Sequence, residues 1–297
     1  MPSRTEIFKV ADSIFSISFH KTFEILRPYL YPYAPFRHKR EAGEAVAFHC
    51  DVTLATDIRP TLPVPVCSFP YGAARFHIFK DQDHYEILLM NPQGKFISKL
   101  CSSPHFDSNH LALTGNPSDC FLGFDNALMM AFAFSGAPGK RLLVHASAVV
   151  WQGKAFLFLG KSGTGKSTHA GLWLRHVPGT TLLNDDNPAL RITDEGQVVV
   201  CGTPWSGKTP CYRNEACPLD GIVRLRQAPH NRIAPSPRLE AFASLFSACS
   251  CIPQEKNSYD ACIQNVTTVV SQAPVFRLDC LPNEAAVHLC AQALTHE

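Results

Sequence analysis

Residues 156–174 read FLFLGKSGTGKSTHAGLWL and place a glycine-rich loop between two apolar segments. The loop, residues 160–167, matches the phosphate-binding (Walker A) pattern G-x-x-x-x-G-K-[ST] at every fixed position. The apolar run 155–159 before it predicts a buried strand, and residues 168–175 after it predict the first turns of a helix. Because the pattern is meaningful only between a strand and a helix, this context favours a nucleotide-binding loop over a merely tight turn.

The residue types in this loop suit phosphate chemistry. Its glycines allow positive φ and a close backbone approach, so that successive N–H groups form an anion-binding nest at a helix N-terminus. Lys166 is expected to reach the β- and γ-phosphates, and Ser167 is expected to ligate Mg²⁺. The predicted nucleotide-binding residues are Gly160, Lys161, Ser162, Gly163, Thr164, Gly165, Lys166, Ser167 and Thr168. The expected cofactors are ATP, or another nucleoside triphosphate, and Mg²⁺.

Length and composition predict a globular protein with room for two domains. The 297 residues are 45% hydrophobic and 18% charged, and 27 basic against 25 acidic residues leave a net charge of +2. This balance disfavours nucleic acid or a membrane surface as the main partner. The most apolar segment, residues 127–136, is too short to span a bilayer. Composition leaves a homo-oligomeric state open.

The twelve cysteines predict free thiols rather than a disulfide framework. The first residues are polar and do not resemble a signal peptide, which indicates a reducing, cytoplasmic setting. The closest pair, Cys249 and Cys251, does not form a C-x-x-C motif, and neither has a histidine at zinc-site spacing. We therefore expect no metal centre built on cysteine.

The fold class predicted is α/β (α+β), with a small β-rich N-terminal domain over residues 1–115. Short β-branched and aromatic runs separated by turn signals indicate its strands. Residues 116–297 are expected to form the domain that carries the phosphate loop, with a mixed sheet. A helix over about residues 116–136 is predicted to link the two domains.

A hairpin is predicted to lead directly into the loop. Strands over 142–151 and 154–159 are joined by Gln152 and Gly153, a connection far too short for a parallel crossover. If these two residues form the turn, the strand partners are symmetric about them, and His145 lies opposite Gly160. His145 is therefore predicted to lie beside the bound phosphates.

Two carboxylates follow the next predicted strand, residues 180–183. Asp185 and Asp186 stand at its C-terminal end, after the helix that follows the loop. There one carboxylate can hold Mg²⁺ together with Ser167, while the other accepts a proton from an attacking hydroxyl. Without this context, Asn-Asp-Asp-Asn-Pro is a typical turn sequence.

A second candidate loop, residues 202–210, reads GTPWSGKTP. Trp205, Ser206, Lys208 and, just beyond it, Arg213 offer side chains that can bind a phosphate or a substrate segment. The alternative is a structural turn with a packed tryptophan. Further elements are predicted as a strand over 219–225, a helix over 238–248, and a terminal strand and helix over 275–278 and 283–295.

These residues together resemble the HPr kinase/phosphorylase and phosphoenolpyruvate carboxykinase superfamily, in which the phosphate loop follows an antiparallel hairpin. HPr kinase has a histidine before the loop and an Asp-Asp pair after the following helix and strand. His145, the loop and the pair Asp185-Asp186 match that pattern in order over about residues 140–192. The resemblance implies nucleotide and Mg²⁺ binding, with proton transfer or phosphate orientation by His145 and the acid pair.

The substrate side departs from that pattern. The glycine-rich stretch with its arginine that marks HPr kinases is not recognisable, and residues 202–208 stand in its place. This variant is similar to HPr-kinase-related proteins of about 300 residues, which include kinases of peptide-modification systems. The resemblance therefore implies a seryl group of a small protein or peptide as the acceptor, rather than HPr itself.

The sequence is compatible with three functions. The first is a kinase that transfers the γ-phosphoryl group of ATP to a hydroxyl, with His145, Asp185, Asp186 and Lys166 as the catalytic residues. The second is a non-catalytic, nucleotide-binding regulatory protein. The third is a phosphoenolpyruvate carboxykinase-like enzyme, for which the chain is short and further ligands are not recognisable.

Overall fold

The computed structural model describes residues 4–253 and 255–295, so residues 1–3, 254 and 296–297 of the predicted domains lie outside the described part. The chain divides into two compact units, Met1–Ser135 and Gly136–Glu297. Each unit combines helices with a mixed sheet, which confirms the α/β class.

The first unit contains an eight-stranded sheet in the order β1-β2-β3-β8-β7-β6-β5-β4. Neighbouring strands are antiparallel except for β2 with β3 and β3 with β8, which are parallel. The strands are β1 Arg4–Val10, β2 Ser13–Phe19, β3 Phe48–Leu54, β4 Cys67–Tyr71, β5 Ala74–Lys80, β6 Tyr85–Met90, β7 Phe96–Ser102 and β8 Ser108–Leu113, and the α-helices are α1 Phe23–Leu26 and α2 Pro117–Phe134. Short 3₁₀ turns follow α1 at Arg27–Tyr29 and Tyr31–Phe36.

Helix α2 belongs to this first unit. Asn116 caps it by accepting a hydrogen bond from the backbone N–H of Asp119 at 2.9 Å. The helix packs against β7 and β8, and Phe132 lies edge-on to Phe15 with ring centroids 6.4 Å apart. The unit boundary therefore lies at the end of this helix, whereas the sequence placed it at the start of the helix.

The second unit contains a nine-stranded sheet. Its path is β12-β10-β11-β15-β14-β13-β9, with β17 paired to β15 and β16 paired to β17. The strands are β9 Arg141–Leu143, β10 Ala146–Trp151, β11 Lys154–Leu159, β12 Thr181–Asp186, β13 Ala189–Ile192, β14 Val198–Cys201, β15 Ala216–Gln227, β16 Arg232–Pro235 and β17 Val275–Cys280. The helices are α3 Lys166–His176, α4 Arg238–Phe246, α5 Lys256–Gln272 and α6 Glu284–Thr295, preceded by a 3₁₀ turn at Ala137–Gly139.

Two layers of helices cover this sheet. Side chains of β11, β15 and β17 alternate between its faces, as strand geometry requires. Phe158 and Val223 pack with Trp173 of α3 and Cys290 of α6, whereas Leu157 on the opposite face packs in the cluster that contains residues of α4 and α5. The strand that leads into the loop is consequently buried on both sides.

The hairpin register is confirmed. Trp151 pairs with Lys154 and Ser147 pairs with Phe158, so Gln152 and Gly153 form the two-residue turn. Both have positive φ, 52° and 77°, as a type I′ turn requires. The first predicted strand is interrupted, however, because β9 pairs with β13 while β10 pairs with β11 and β12. His145 lies at this change of partner, where its backbone N–H donates to the carbonyl of Ala248 at 2.7 Å.

All twelve cysteines lie in the described part of the chain and each is a free thiol, as predicted. Within residues 4–253 and 255–295, no helix has the length and apolar character needed to cross a membrane.

Candidate functional site

The glycine-rich loop connects β11 to α3, as the sequence predicts. Gly163 and Gly165 have φ of 80° and 103°, a region in which residues with a Cβ are strained. Gly165 is the N-cap of α3, so the first N–H groups of the helix face the loop. The loop also closes on itself, because the Thr164 backbone N–H and hydroxyl both donate to the carbonyl of Lys161, at 3.0 and 2.7 Å. This backbone is suited to hold an anion.

The ammonium group of Lys166 lies at the base of the loop. The residue is buried, and its Nζ donates to the Gly160 carbonyl at 3.1 Å and lies 2.9 Å from Nε2 of His145. Burial lowers the pKa of Lys166, while the nearby charges of Asp186 and Asp185 act in the opposite direction. The lysine charge is thus placed between the loop and the acid pair.

His145 connects this lysine to Asp186. Its Nδ1 lies 3.0 Å from Oδ1 of Asp186, on the side of the ring opposite Lys166. Because an ammonium group can only donate, Nε2 accepts from Lys166, and the ring proton on Nδ1 donates to the carboxylate. A continuous Lys166–His145–Asp186 hydrogen-bond chain therefore runs from the loop to β12. The position of His145 beside the loop is the one that the hairpin register predicts.

The two aspartates have different environments. Asp185 is only 2% exposed, whereas 27% of the Asp186 side chain is exposed. The Ser147 hydroxyl donates to Oδ1 of Asp185 at 2.6 Å, and Oδ2 of Asp185 has no hydrogen-bond partner among the described residues. Strand β12 continues past its predicted end at residue 183 and includes both aspartates. Asp185 pairs with Ser147 on the neighbouring strand β10. Of the two aspartates, only Asp186 is partly exposed to solvent.

Sequence reasoning did not select Ser147, although a signal was present. Ser147 stands two residues after His145, so the two share a face if the strand continues, and it lies on the predicted hairpin strand that pairs with the strand entering the loop. Its partner Asp185 becomes evident only from the pairing of β10 with β12.

The loop over residues 202–213 packs against the acid pair. Ser206 forms an isolated β-bridge with Asp186, and the Gly207 backbone N–H donates to the Asp185 carbonyl at 2.7 Å. Asn184 ties the loop down, because its side-chain amide donates to the Thr203 hydroxyl at 3.1 Å. Asn184 and Thr203 were also not selected from the sequence.

The four predicted substrate residues of this loop differ in exposure. Trp205 is buried, which agrees with the alternative of a packed tryptophan. The Ser206 hydroxyl donates to the Thr209 carbonyl at 2.8 Å. Lys208 is exposed, and Arg213 lies 3.7 Å from a carboxylate oxygen of Glu215. Of these side chains, Lys208 is the most available to a partner.

The close packing of the 202–213 loop predicts that an added side-chain atom at Gly202 lowers the free energy of unfolding. A Cβ on Gly202 would lie 2.0 Å from the Arg213 carbonyl oxygen, so Gly202→Ala should destabilise the second unit by about 3 kcal/mol. Gly171→Ala is the matched control, because an added Cβ at this position of α3 meets nothing within 4 Å and alanine favours helix by about 1 kcal/mol. Urea unfolding measures both variants. If Gly202→Ala unfolds like the wild type, the close approach of residues 202 and 213 is wrong.

The predicted metal ligands suit Mg²⁺. Among the described residues, no group of three or more His, Cys, Asp and Glu side chains is arranged to hold a metal. A Mg²⁺ site here would need phosphate or water oxygens beside the protein ligands, which is the usual arrangement for this ion. The Ser167 hydroxyl at the start of α3 and the unpartnered Oδ2 of Asp185 are oxygen donors of the type required. The residues present therefore fit the ion.

Comparison with known proteins does not identify a family. No protein-family model matches the chain, and no curated protein matches it either.

Proposed function

We propose that the second unit is a nucleotide-dependent kinase that transfers the γ-phosphoryl group of ATP to a hydroxyl, namely serine of a small protein or peptide. One observation carries the proposal: the Lys166–His145–Asp186 chain links a phosphate loop to a partly exposed carboxylate. A site that only holds a nucleotide needs no accessible carboxylate next to the terminal phosphate. The resemblance to the HPr kinase and phosphoenolpyruvate carboxykinase type of phosphate-loop domain points the same way.

Asp186, His145 and Lys166 provide the groups that phosphoryl transfer requires. The acceptor oxygen attacks the γ-phosphorus while its proton passes to the Asp186 carboxylate. The bond from the γ-phosphorus to the β,γ-bridging oxygen breaks, and ADP leaves with that electron pair. His145 orients the carboxylate through the 3.0 Å contact to Oδ1. Lys166 supplies positive charge to the β- and γ-phosphates.

Asp185 has a different role in this proposal. Its burial and its bond from Ser147 keep it from an acceptor hydroxyl. Its free Oδ2 suits a ligand of Mg²⁺, either directly or through water, together with Ser167. These two residues would hold the ion, which when bound would supply positive charge to the phosphates. The inner carboxylate thus serves the nucleotide and the outer one serves the acceptor.

The acceptor is expected beside the 202–213 loop. Ser206 adjoins Asp186 through its backbone bridge, and the exposed Lys208 lies two residues further on. A peptide chain bound along this loop would bring a hydroxyl next to the outer carboxylate. A small protein with a seryl group in an exposed loop would reach the same place.

The experiment combines a binding measurement with a transfer measurement. The full chain is titrated with ATP and Mg²⁺ by calorimetry, and it is incubated with labelled ATP, copurifying proteins and serine-containing peptides. Saturable binding together with labelled phosphoserine is the expected result. Binding without transfer or hydrolysis would overturn the kinase proposal in favour of a regulatory nucleotide-binding protein. Formation of phosphoenolpyruvate from oxaloacetate would overturn it in favour of a carboxykinase.

A further inference from the structure

Two cavities adjoin the phosphate loop on different sides. The first, about 350 Å³, lies beside Gly163–Gly165, and its walls are formed by Thr168 and Leu172 of α3, Leu225 and Gln227 of β15, and Leu281 and Pro282 after β17. The second, about 710 Å³, adjoins residues 160–164. Both share loop residues with the proposed phosphate site, so each is a candidate for another part of the bound nucleotide.

The sheet topology places the smaller cavity and the acid pair on opposite sides of β11. Strands β11, β15 and β17 are parallel neighbours, so their carboxyl ends lie along one edge of the sheet. The acid pair is on β12, which lies beyond β10 on the other side of β11. A nucleotide with its γ-phosphate toward Asp186 would therefore extend in the direction of β15 and β17. The smaller cavity lies at the carboxyl ends of those two strands.

The chemistry of the two cavities differs. The larger one is lined by Lys161, Arg224, Arg226, Arg277 and Glu240 and is therefore strongly charged. The described residues that line the smaller cavity include no Lys, Arg, Asp or Glu. Among these described residues the one histidine is His169, and burial lowers its pKa to about 4, so that the ring is neutral at pH 7. An apolar, uncharged wall suits a flat aromatic ring and does not suit another phosphate.

The smaller cavity is also tied to the loop. The side-chain amide of Gln227 donates to the Gly163 carbonyl at 3.2 Å, which connects the end of β15 to the centre of the loop. Leu172 and Leu225 are buried in its floor, whereas Leu281 is 40% exposed at its edge. A ring placed there would cover the exposed leucine and gain from apolar burial.

We propose that this cavity holds the base of the nucleotide whose phosphates lie on the loop, which rests on the nucleotide binding proposed above. Its volume is at the lower end of about 300–1,000 Å³ for small-molecule sites. It accommodates a base with the adjoining part of a ribose, while the polyphosphate remains outside on the loop. The nucleotide then lies across β11, with the base over β15 and β17 and the γ-phosphate near β12.

The test separates base binding from phosphate binding. Leu281→Arg places a long side chain at the cavity edge, and the affinities for ATP and for inorganic tripolyphosphate are measured with Mg²⁺ by calorimetry. ATP affinity is expected to fall at least about tenfold, which corresponds to about 1.4 kcal/mol, with tripolyphosphate affinity unchanged. The matched control is Leu174→Arg, because Leu174 is also 40% exposed but lies outside the cavity lining.

Each outcome is decisive. Unchanged ATP affinity in Leu281→Arg, or an equal loss for ATP and tripolyphosphate, would overturn the base site. If Leu281→Arg does not fold, Leu281→Ser removes the apolar edge with a smaller change, and the same ratio of affinities is measured. If the wild type binds neither ligand, the proposed nucleotide binding itself fails, which is a different result from the loss of base recognition alone.

Discussion

Lys166→Ala should lower the affinity for ATP by about 10- to 100-fold and reduce phosphate transfer below detection. A charge-assisted hydrogen bond contributes about 1.5–3 kcal/mol, and a buried ammonium group provides more than one of them to a polyphosphate. The substitution also removes the donor to Nε2 of His145 and so breaks the chain to Asp186. Calorimetry gives the affinity, and labelled ATP with the acceptor gives the transfer.

The control for this variant is Lys154→Ala on the same strand–loop segment. Lys154 begins β11, and its Nζ lies 2.9 Å from Asp220 in an exposed ion pair, which typically contributes less than about 1 kcal/mol. Its loss should change affinity and transfer by less than about twofold. An affinity of Lys166→Ala equal to that of the wild type would show that the loop does not bind phosphate through this lysine.

Asp186→Asn should separate binding from chemistry. The amide keeps the size of the side chain but is a much weaker base than the carboxylate and cannot take the proton of the attacking hydroxyl. The rate of phosphoryl transfer should therefore fall by about 10²–10⁴-fold. Affinity for ATP without acceptor should change by only a few-fold, because Lys166 and the loop backbone remain. Single-turnover transfer and calorimetry on the same preparation measure the two quantities.

Asp220→Asn is the matched control for that variant. Its side chain is 32% exposed, close to the 27% of Asp186, and each carboxylate pairs with one basic side chain, Lys154 for Asp220 and His145 for Asp186. Transfer should remain at the wild-type rate. If Asp186→Asn retains full transfer, the proton is accepted elsewhere and the assigned role of the outer carboxylate is wrong. If it loses ATP binding as well, Asp186 serves the nucleotide rather than the acceptor.

The loop and the hairpin could be predicted because their signals are local. Glycine and lysine spacing, an apolar run before the loop and a two-residue turn all act over a few residues, where backbone geometry leaves few alternatives. The turn at Gln152 and Gly153 sets the register of β10 with β11, and this register predicts His145 beside the loop, two residues before the paired Ser147. The class of each unit followed from the same short-range patterns.

Contacts between segments distant in sequence determined the environments of the two aspartates, the burial of Trp205 and the unit to which α2 belongs. The different environments of Asp185 and Asp186 arise because β12 pairs with β10, which brings Ser147 to the first aspartate and leaves the second partly exposed. Adjacent residues on a strand face opposite sides, but only the neighbouring strand determines which side is buried. Likewise, Trp205 is buried because its loop folds onto β12, and α2 belongs to the first unit because it packs on β7 and β8. Short-range geometry specified the glycine-rich loop, whereas the pairing of nonadjacent strands placed Asp185 and Asp186 beside it.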